Sequence, residues 1–402
     1  MNRRIGLFVL ATGALLAACN NAAPPPPAAV VENPAPAASS ANPGDPGVAP
    51  RFTVDPFWPK PLPNHWLLGS TIGVSVDSRD HVWIIHRQQS LNAQTEASAG
   101  TNTPAGTCCS AAPPVIEIDA EGNVVGSWGG PGEGYDWPTS NHGITVDHMD
   151  NIWIGGNDVK DAHVLKFSRG GQFLLQLGKP EQNQGSNDPV NFWRVAEISI
   201  DPAANEAYIA DGYGNKRVVV IDMNTGERKR YWGAYGNPPD DTDLGLYDPA
   251  APPAQQFRNP VHCAEPSLDG FVYVCDRVNN RIQVFRKDGT FVSELRVAPE
   301  TRGAGSVWDI ALSKDPGQAY IYLADGLNER VYIIHRESMQ VLTSFGDGGR
   351  QPGQFFGVHS IAVDSQGNIY TTETYEGKRI QKFVFQGLAP IPGESQGALW
   401  PQ

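Results

Sequence analysis

A short run in which apolar and polar residues alternate recurs six times along the chain. The copies are Gly73-Val-Ser-Val-Asp77, Gly143-Ile-Thr-Val-Asp147, Glu197-Ile-Ser-Ile-Asp201, Cys263-Ala-Glu-Pro-Ser267, Asp309-Ile-Ala-Leu-Ser313 and Ser360-Ile-Ala-Val-Asp364. A period of two turns successive side chains to opposite faces, as in half-buried antiparallel strands. A turn rich in Asp, Asn or Gly follows each run, and then a second strand such as His81-Val-Trp, Asn151-Ile-Trp or Asn368-Ile-Tyr. A third strand is predicted after a polar corner: Asp211-Gly-Tyr-Gly-Asn-Lys-Arg217, Asp276-Arg-Val-Asn-Asn-Arg281, Asp325-Gly-Leu-Asn-Glu-Arg330 and Glu373-Thr-Tyr-Glu-Gly-Lys-Arg379. Fourth strands follow further turns, as in Gly289-Thr-Phe-Val-Ser-Glu-Leu295.

Four strands in each of six units, at roughly 45–65 residues per unit, predict an all-β, six-bladed β-propeller. An irregular β-sandwich would leave six registered copies unexplained. The last unit runs out of strands near Phe385, so Arg51-Phe-Thr-Val54 is expected to supply its outer strand and close the ring. Trp128-Gly129, Trp232-Gly233 and Phe345-Gly346 are expected to pack between blades. The propeller is assigned to residues 51–390 and a flexible tail to 391–402.

Composition agrees with a turn-rich β protein: 43 Gly, 34 Pro and only 18% charged residues. The net charge of −13 comes from acids spread along the chain, with no basic stripe, which argues against a nucleic-acid partner. Residues 1–18 read as a lipoprotein signal peptide, with Arg3 and Arg4 before an apolar stretch and Leu16-Ala17-Ala18 before Cys19. Cys19 is the expected lipidation site. Residues 19–50 are rich in Pro and Ala and read as a disordered tether. The expected location is outside the inner membrane of a bacterium, periplasmic or at the cell surface, as a monomer that meets the membrane only through its lipid. Export permits disulfides. Cys263 and Cys275 flank a turn and can face each other across a hairpin; Cys108 and Cys109 can pair with each other or elsewhere, and spacing alone leaves the connectivity open.

The residue that opens each innermost strand reads Ile72, His142, Ala196, His262, Trp308 and His359. Histidine thus marks alternate blades, whose equivalent positions lie about 120° apart in a six-fold ring and face one axis. With nine histidines in 402 residues, three in one such set has a chance probability on the order of 10⁻⁴. Three imidazoles with an open fourth side form the catalytic zinc pattern, so Zn²⁺ is the expected cofactor, with iron or copper as alternatives.

These segments resemble peptidyl-α-hydroxyglycine α-amidating lyase, an NHL-repeat propeller with three zinc-binding histidines, over roughly residues 69–385. The match rests on Asn141-His-Gly-Ile144, Pro260-Val-His262 and Val358-His359 for the ligands, on Asp211-Gly-Tyr-Gly-Asn215 for a catalytic tyrosine, Tyr213, and on His86-Arg87 and Asp276-Arg277 for two active-site arginines. The resemblance also implies a structural Ca²⁺ bound by the carbonyls of Val74 and Ile144 and by an aspartate after the third histidine. Ser360 stands at that position, so calcium requires a substitute such as Asp309, one blade earlier at the same repeat position.

The activity implied is metal-dependent cleavage of the C–N bond in a peptidyl-α-hydroxyglycine-type carbinolamide, a small-molecule or peptide substrate. Tyr213 would act as general base and Arg87 or Arg277 would grip the substrate carboxylate. The competing class is a non-catalytic NHL lipoprotein that binds a protein, peptide or glycan through the loops at 88–114 and 237–256. A calcium-dependent lactonase would need Glu, Asn and Asp where histidine stands.

Overall fold

Alternating sequence becomes antiparallel sheet wherever two runs can cover each other's apolar face, and here that happens six times. The computed structural model describes residues 41–92, 96 and 108–401; the expected leader, Cys19 and most of the tether lie outside them. Six sheets have four antiparallel strands each, and a short parallel pair, Trp66–Leu67 with Ser110–Ala111, is the one further sheet among the described residues. Blade 3 is representative, with Glu197–Asp201, Glu206–Asp211, Arg217–Asp222 and Arg228–Trp232 paired in sequence order. The innermost strand of each blade touches that of the next, and blade 6 returns to blade 1. Blade 6 takes its outer strand from the other end of the chain: Val48–Asp55 pairs with Arg379–Pro390, Phe52 opposite Phe385. No helix among the described residues is long and apolar enough to cross a membrane.

The core fills the gaps between blades. Phe52, Phe345, Phe355 and Phe383 knit blades 5 and 6 together, and Trp232 with Phe257 and Phe285 does the same for blades 3 and 4. Trp128 packs against Phe167 at a centroid distance of 5.1 Å, joining blades 1 and 2.

The polar corners are buried ion pairs. Arg217 reaches Asp211 at 2.8 Å, Arg281 reaches Asp276 at 2.7 Å and Arg379 reaches Glu373 at 2.7 Å. Each arginine also donates to carbonyls of the loop leading into its own or the next blade, as Arg217 does to Ser186 and Asp188. In blade 5 the arginine turns away: Arg330 Nε donates to the Asn328 carbonyl at 3.3 Å. Burial then pushes the Asp325 carboxyl up to about 6, the amides of Asn328 and Leu327 offsetting it in part.

Cysteines 263 and 275 are joined across their hairpin, and 108 and 109 to each other. Residues 391–401, which read from sequence as a flexible tail, are held by backbone hydrogen bonds. Ser344 donates to Glu394, Gly346 to Gly397 and Val54 to Leu399.

Candidate metal centre

Local irregularity aims the histidines. The pairing of the two innermost strands shifts register between His142 and Ile144, between Val261 and Ala264, and between Val358 and Ser360. Blade 1 has the same shift between Thr71 and Gly73, around Ile72, whereas the innermost strands of blades 3 and 5 begin just after Ala196 and Trp308 and pair without one. A bulge bends its strand and re-aims a side chain, and in blades 2, 4 and 6 the residue at that point is a histidine. In blade 2 the extra residue is Gly143, at φ +62°, where a Cβ would stand 2.6 Å from the Ala196 carbonyl oxygen.

His142, His262 and His359 are 1%, 2% and 2% exposed. Their ring centroids lie 4.9–5.3 Å apart, and one ligand nitrogen from each falls within 4.8 Å of the others. Burial, reinforced by the charges of Arg87 and Arg277, holds the His142 imidazole well below its ordinary pKa; burial also lowers His262, with Arg277 next, and His359, with the other two rings next. All three are therefore neutral at neutral pH, the form that ligates a metal.

Outer contacts set the tautomers. His142 Nδ1 donates to the Ala196 carbonyl at 2.7 Å. His359 Nδ1 lies 3.2 Å from Ser360 Oγ, whose own proton goes to the Ile72 carbonyl at 3.0 Å, so the ring is the donor. Such outer hydrogen bonds leave Nε2 free and raise its basicity. His142 and His359 are held this way, and three neutral imidazoles fit zinc.

Tyr213 comes from the corner of blade 3, pressed against the His262 strand: a Cβ at Gly212 would fall 1.9 Å from the Val261 carbonyl oxygen. Asn259 Nδ2 clamps the same corner through the carbonyls of Gly212 and Asn215 at 2.7 and 2.8 Å. The Tyr213 hydroxyl consequently sits 3.1 Å from His142 Nε2 and 3.0 Å from His262 Nε2, and it accepts from Arg277 Nη1 at 3.0 Å. Arg277 stacks on Trp308, 3.9 Å from the ring centroid. Arg87 donates to the carbonyl of Asn141 at 3.1 Å and to Asn157 Oδ1 at 2.8 Å. His142, His262, His359, Tyr213 and Arg277 thus meet at the axis, with Arg87 close enough for its charge to act on His142. Sequence reading missed Arg194, whose guanidinium lies 5.8 Å from the Tyr213 ring centroid, and Asn157.

One layer deeper, Val74 and Ile144 line a chamber with room for one water molecule or ion, together with Glu197, Asp309 and Ser360. Burial first, then the neighbouring carboxylates, push Glu197 and Asp309 well above the usual carboxylate range. Asp309 accepts the amides of Ile310 and Ile361, at 2.8 and 3.0 Å, while Glu197 Oε2 is buried without a partner. Hard oxygen donors around an orphaned carboxylate oxygen fit a cation such as Ca²⁺, with acids from blades 3 and 5 taking the place of the missing one at Ser360.

No family model matches the chain. Its sequence is 28% identical over 354 residues to peptidyl-alpha-hydroxyglycine alpha-amidating lyase 1 of Drosophila melanogaster, covering 83% of this chain and 59% of that protein. It is 26% identical over 352 residues to NHL repeat-containing protein 3 of Mus musculus, covering 83% and 84%. The chain is a six-bladed propeller whose sequence resembles NHL-repeat proteins, the amidating lyases among them. Peptidyl-glycine alpha-amidating monooxygenase B of Xenopus laevis is 27% identical over 242 residues, 58% of this chain. The propeller spans a quarter of that relative's length and less than two thirds of the fly protein's. A solved structure of a protein of unknown function from Bacteroides thetaiotaomicron shares the fold, with a TM-score of 0.51 and 13% identity over 85% of this chain and 77% of that one.

Proposed function

We propose that this NHL propeller is a metal-dependent lyase that splits the C–N bond of a peptidyl-α-hydroxyglycine-type carbinolamide into an amide and an aldehyde acid. The observation that carries this reading is the Tyr213 oxygen, held within hydrogen-bond reach of two of the three convergent imidazoles and of Arg277. His142, His262 and His359 would hold the ion, zinc by donor type, which supplies Lewis acidity at the substrate hydroxyl. Tyr213, acting as the phenolate with Arg277 donating to its oxygen, is placed to take the hydroxyl proton, and the negative charge passes to the substrate oxygen. The C–N electron pair leaves with the amide nitrogen as the carbon–oxygen double bond forms, and the proton on Tyr213 passes to that nitrogen. Burial of the three rings keeps bulk water from competing for it.

The calcium chamber beneath would be structural, and the propeller would work outside the cytoplasm, tethered through Cys19; the two cysteine pairs suit that compartment. The test is release of glyoxylate from N-benzoyl-α-hydroxyglycine. Tyr213→Phe should lower kcat by roughly 10²-fold or more with the metal retained. Absence of turnover in the zinc-loaded wild type would favour a second reading, a partner-binding propeller, which the exposed Leu246 and Tyr375 on two of the loops support.

A further inference from the structure

Two guanidinium groups meet on one asparagine. Arg87 Nη2 donates to the Asn157 side chain at 2.8 Å, and Arg194 Nε donates to the Asn157 carbonyl at 2.7 Å. Among the described residues neither has a carboxylate at ion-pair distance, whereas the corner arginines 217, 281 and 379 each sit 2.7–2.8 Å from one. Asp161, whose charge reaches Arg87, is occupied by the amides of Thr139, Ser140 and Asp158 at 2.8–3.0 Å. Arg194 is moreover held in the left-handed region, at φ 61°, which costs a non-glycine residue free energy that its surroundings must offset. Its amide donates to the Asp161 carbonyl and its carbonyl accepts the Tyr213 amide, so guanidinium and tyrosine are placed by one turn of chain.

Both guanidiniums lack a counter-ion among the described residues and share one asparagine, so an anion that reached both would be held by two cations, and a planar fork matches a carboxylate. Arg277 is engaged otherwise: its Nη1 is on Tyr213, its Nε on the Ala304 carbonyl at 2.8 Å, and its plane lies against Trp308. We propose that Arg194 and Asn157, with Arg87, form a two-guanidinium clamp for the terminal carboxylate of the substrate, leaving Arg277 to Tyr213. The clamp rests on the lyase reading for its substrate, but not for its chemistry: it selects a free acid over the corresponding amide. Arg194 and Asn157 are thus specificity-determining residues.

The test is calorimetric titration of the full chain, loaded with one equivalent of zinc, with N-acetylglycine and with N-acetylglycinamide. The wild type should prefer the acid. Arg194→Gln should weaken acid binding by about 10- to 100-fold and amide binding by less than twofold, with zinc content unchanged. Asn157→Asp, close in shape, sets a carboxylate on the Arg87 guanidinium; it should bring acid affinity down to the amide level while raising the melting temperature, which keeps the test open should Arg194→Gln not fold. Equal affinity of the wild type for acid and amide, or undiminished acid binding in both variants, overturns the clamp. A wild type that prefers the acid but releases no glyoxylate would refute the lyase reading and leave the clamp standing.

Discussion

Replacing Gly143 with alanine should loosen the metal far more than it loosens the fold. The backbone there is at φ +62°, which costs an alanine roughly 1–2 kcal/mol. The new Cβ would also stand 2.6 Å from the Ala196 carbonyl oxygen, closer than carbon and oxygen tolerate, so that oxygen must retreat. It is the oxygen that takes the His142 Nδ1 proton at 2.7 Å. A total near 2 kcal/mol lowers Tm by about 3 °C, given ~2.1 cal/mol/K per residue over about 350 residues. Loss of the outer hydrogen bond should weaken zinc by roughly 10- to 100-fold. Competition with a chromophoric chelator reads the second figure and calorimetry the first. The control is Gly171→Ala, also at positive φ, whose Cβ meets only the Trp128 ring; it should lower Tm and leave zinc affinity alone. Equal zinc affinity in Gly143→Ala and wild type would refute the claim that this carbonyl positions the ligand.

Two further outcomes follow from the scaffold. Arg217→Met leaves Asp211 fully buried without its counter-ion and should cost about 3–5 kcal/mol of stability, measured by denaturant unfolding. Glu206 is pushed up by burial but brought down to about 2 by the hydrogen bonds of Arg230, Lys229 and Tyr208. A depressed carboxylate stabilises the fold above its unfolded pKa of 4.5, and the gain is lost as pH falls toward about 2; in Glu206→Gln the acid melting curve should be flatter over that window.

Repetition made much of this molecule legible in the sequence. Each blade restates the same alternation and corner, so the strand order and the place of the three histidines could be read without coordinates, whereas the ion pairs Asp211–Arg217 and Asp276–Arg281 inside those corners came only with the fold. What escaped was whatever occurs once. Arg194 and Asn157 lie on connections between strands with no counterpart in other blades, and only the folded loops bring them to Tyr213. Arg330 matches the corner pattern yet has no acid at ion-pair distance among the described residues, its guanidinium following the Asn328 carbonyl instead. Glu197 shares the repeat position of Asp309 and Ser360, but its alternating run read as ordinary strand, and the chamber it faces depends on how closely the six inner strands converge.

Elemental analysis of the purified chain beside its His262→Ala variant tests the shared-ion geometry most directly. The wild type should carry one transition-metal ion per chain, zinc by donor type, and the variant none. A wild type without such an ion, or a variant that keeps a full equivalent, would contradict it.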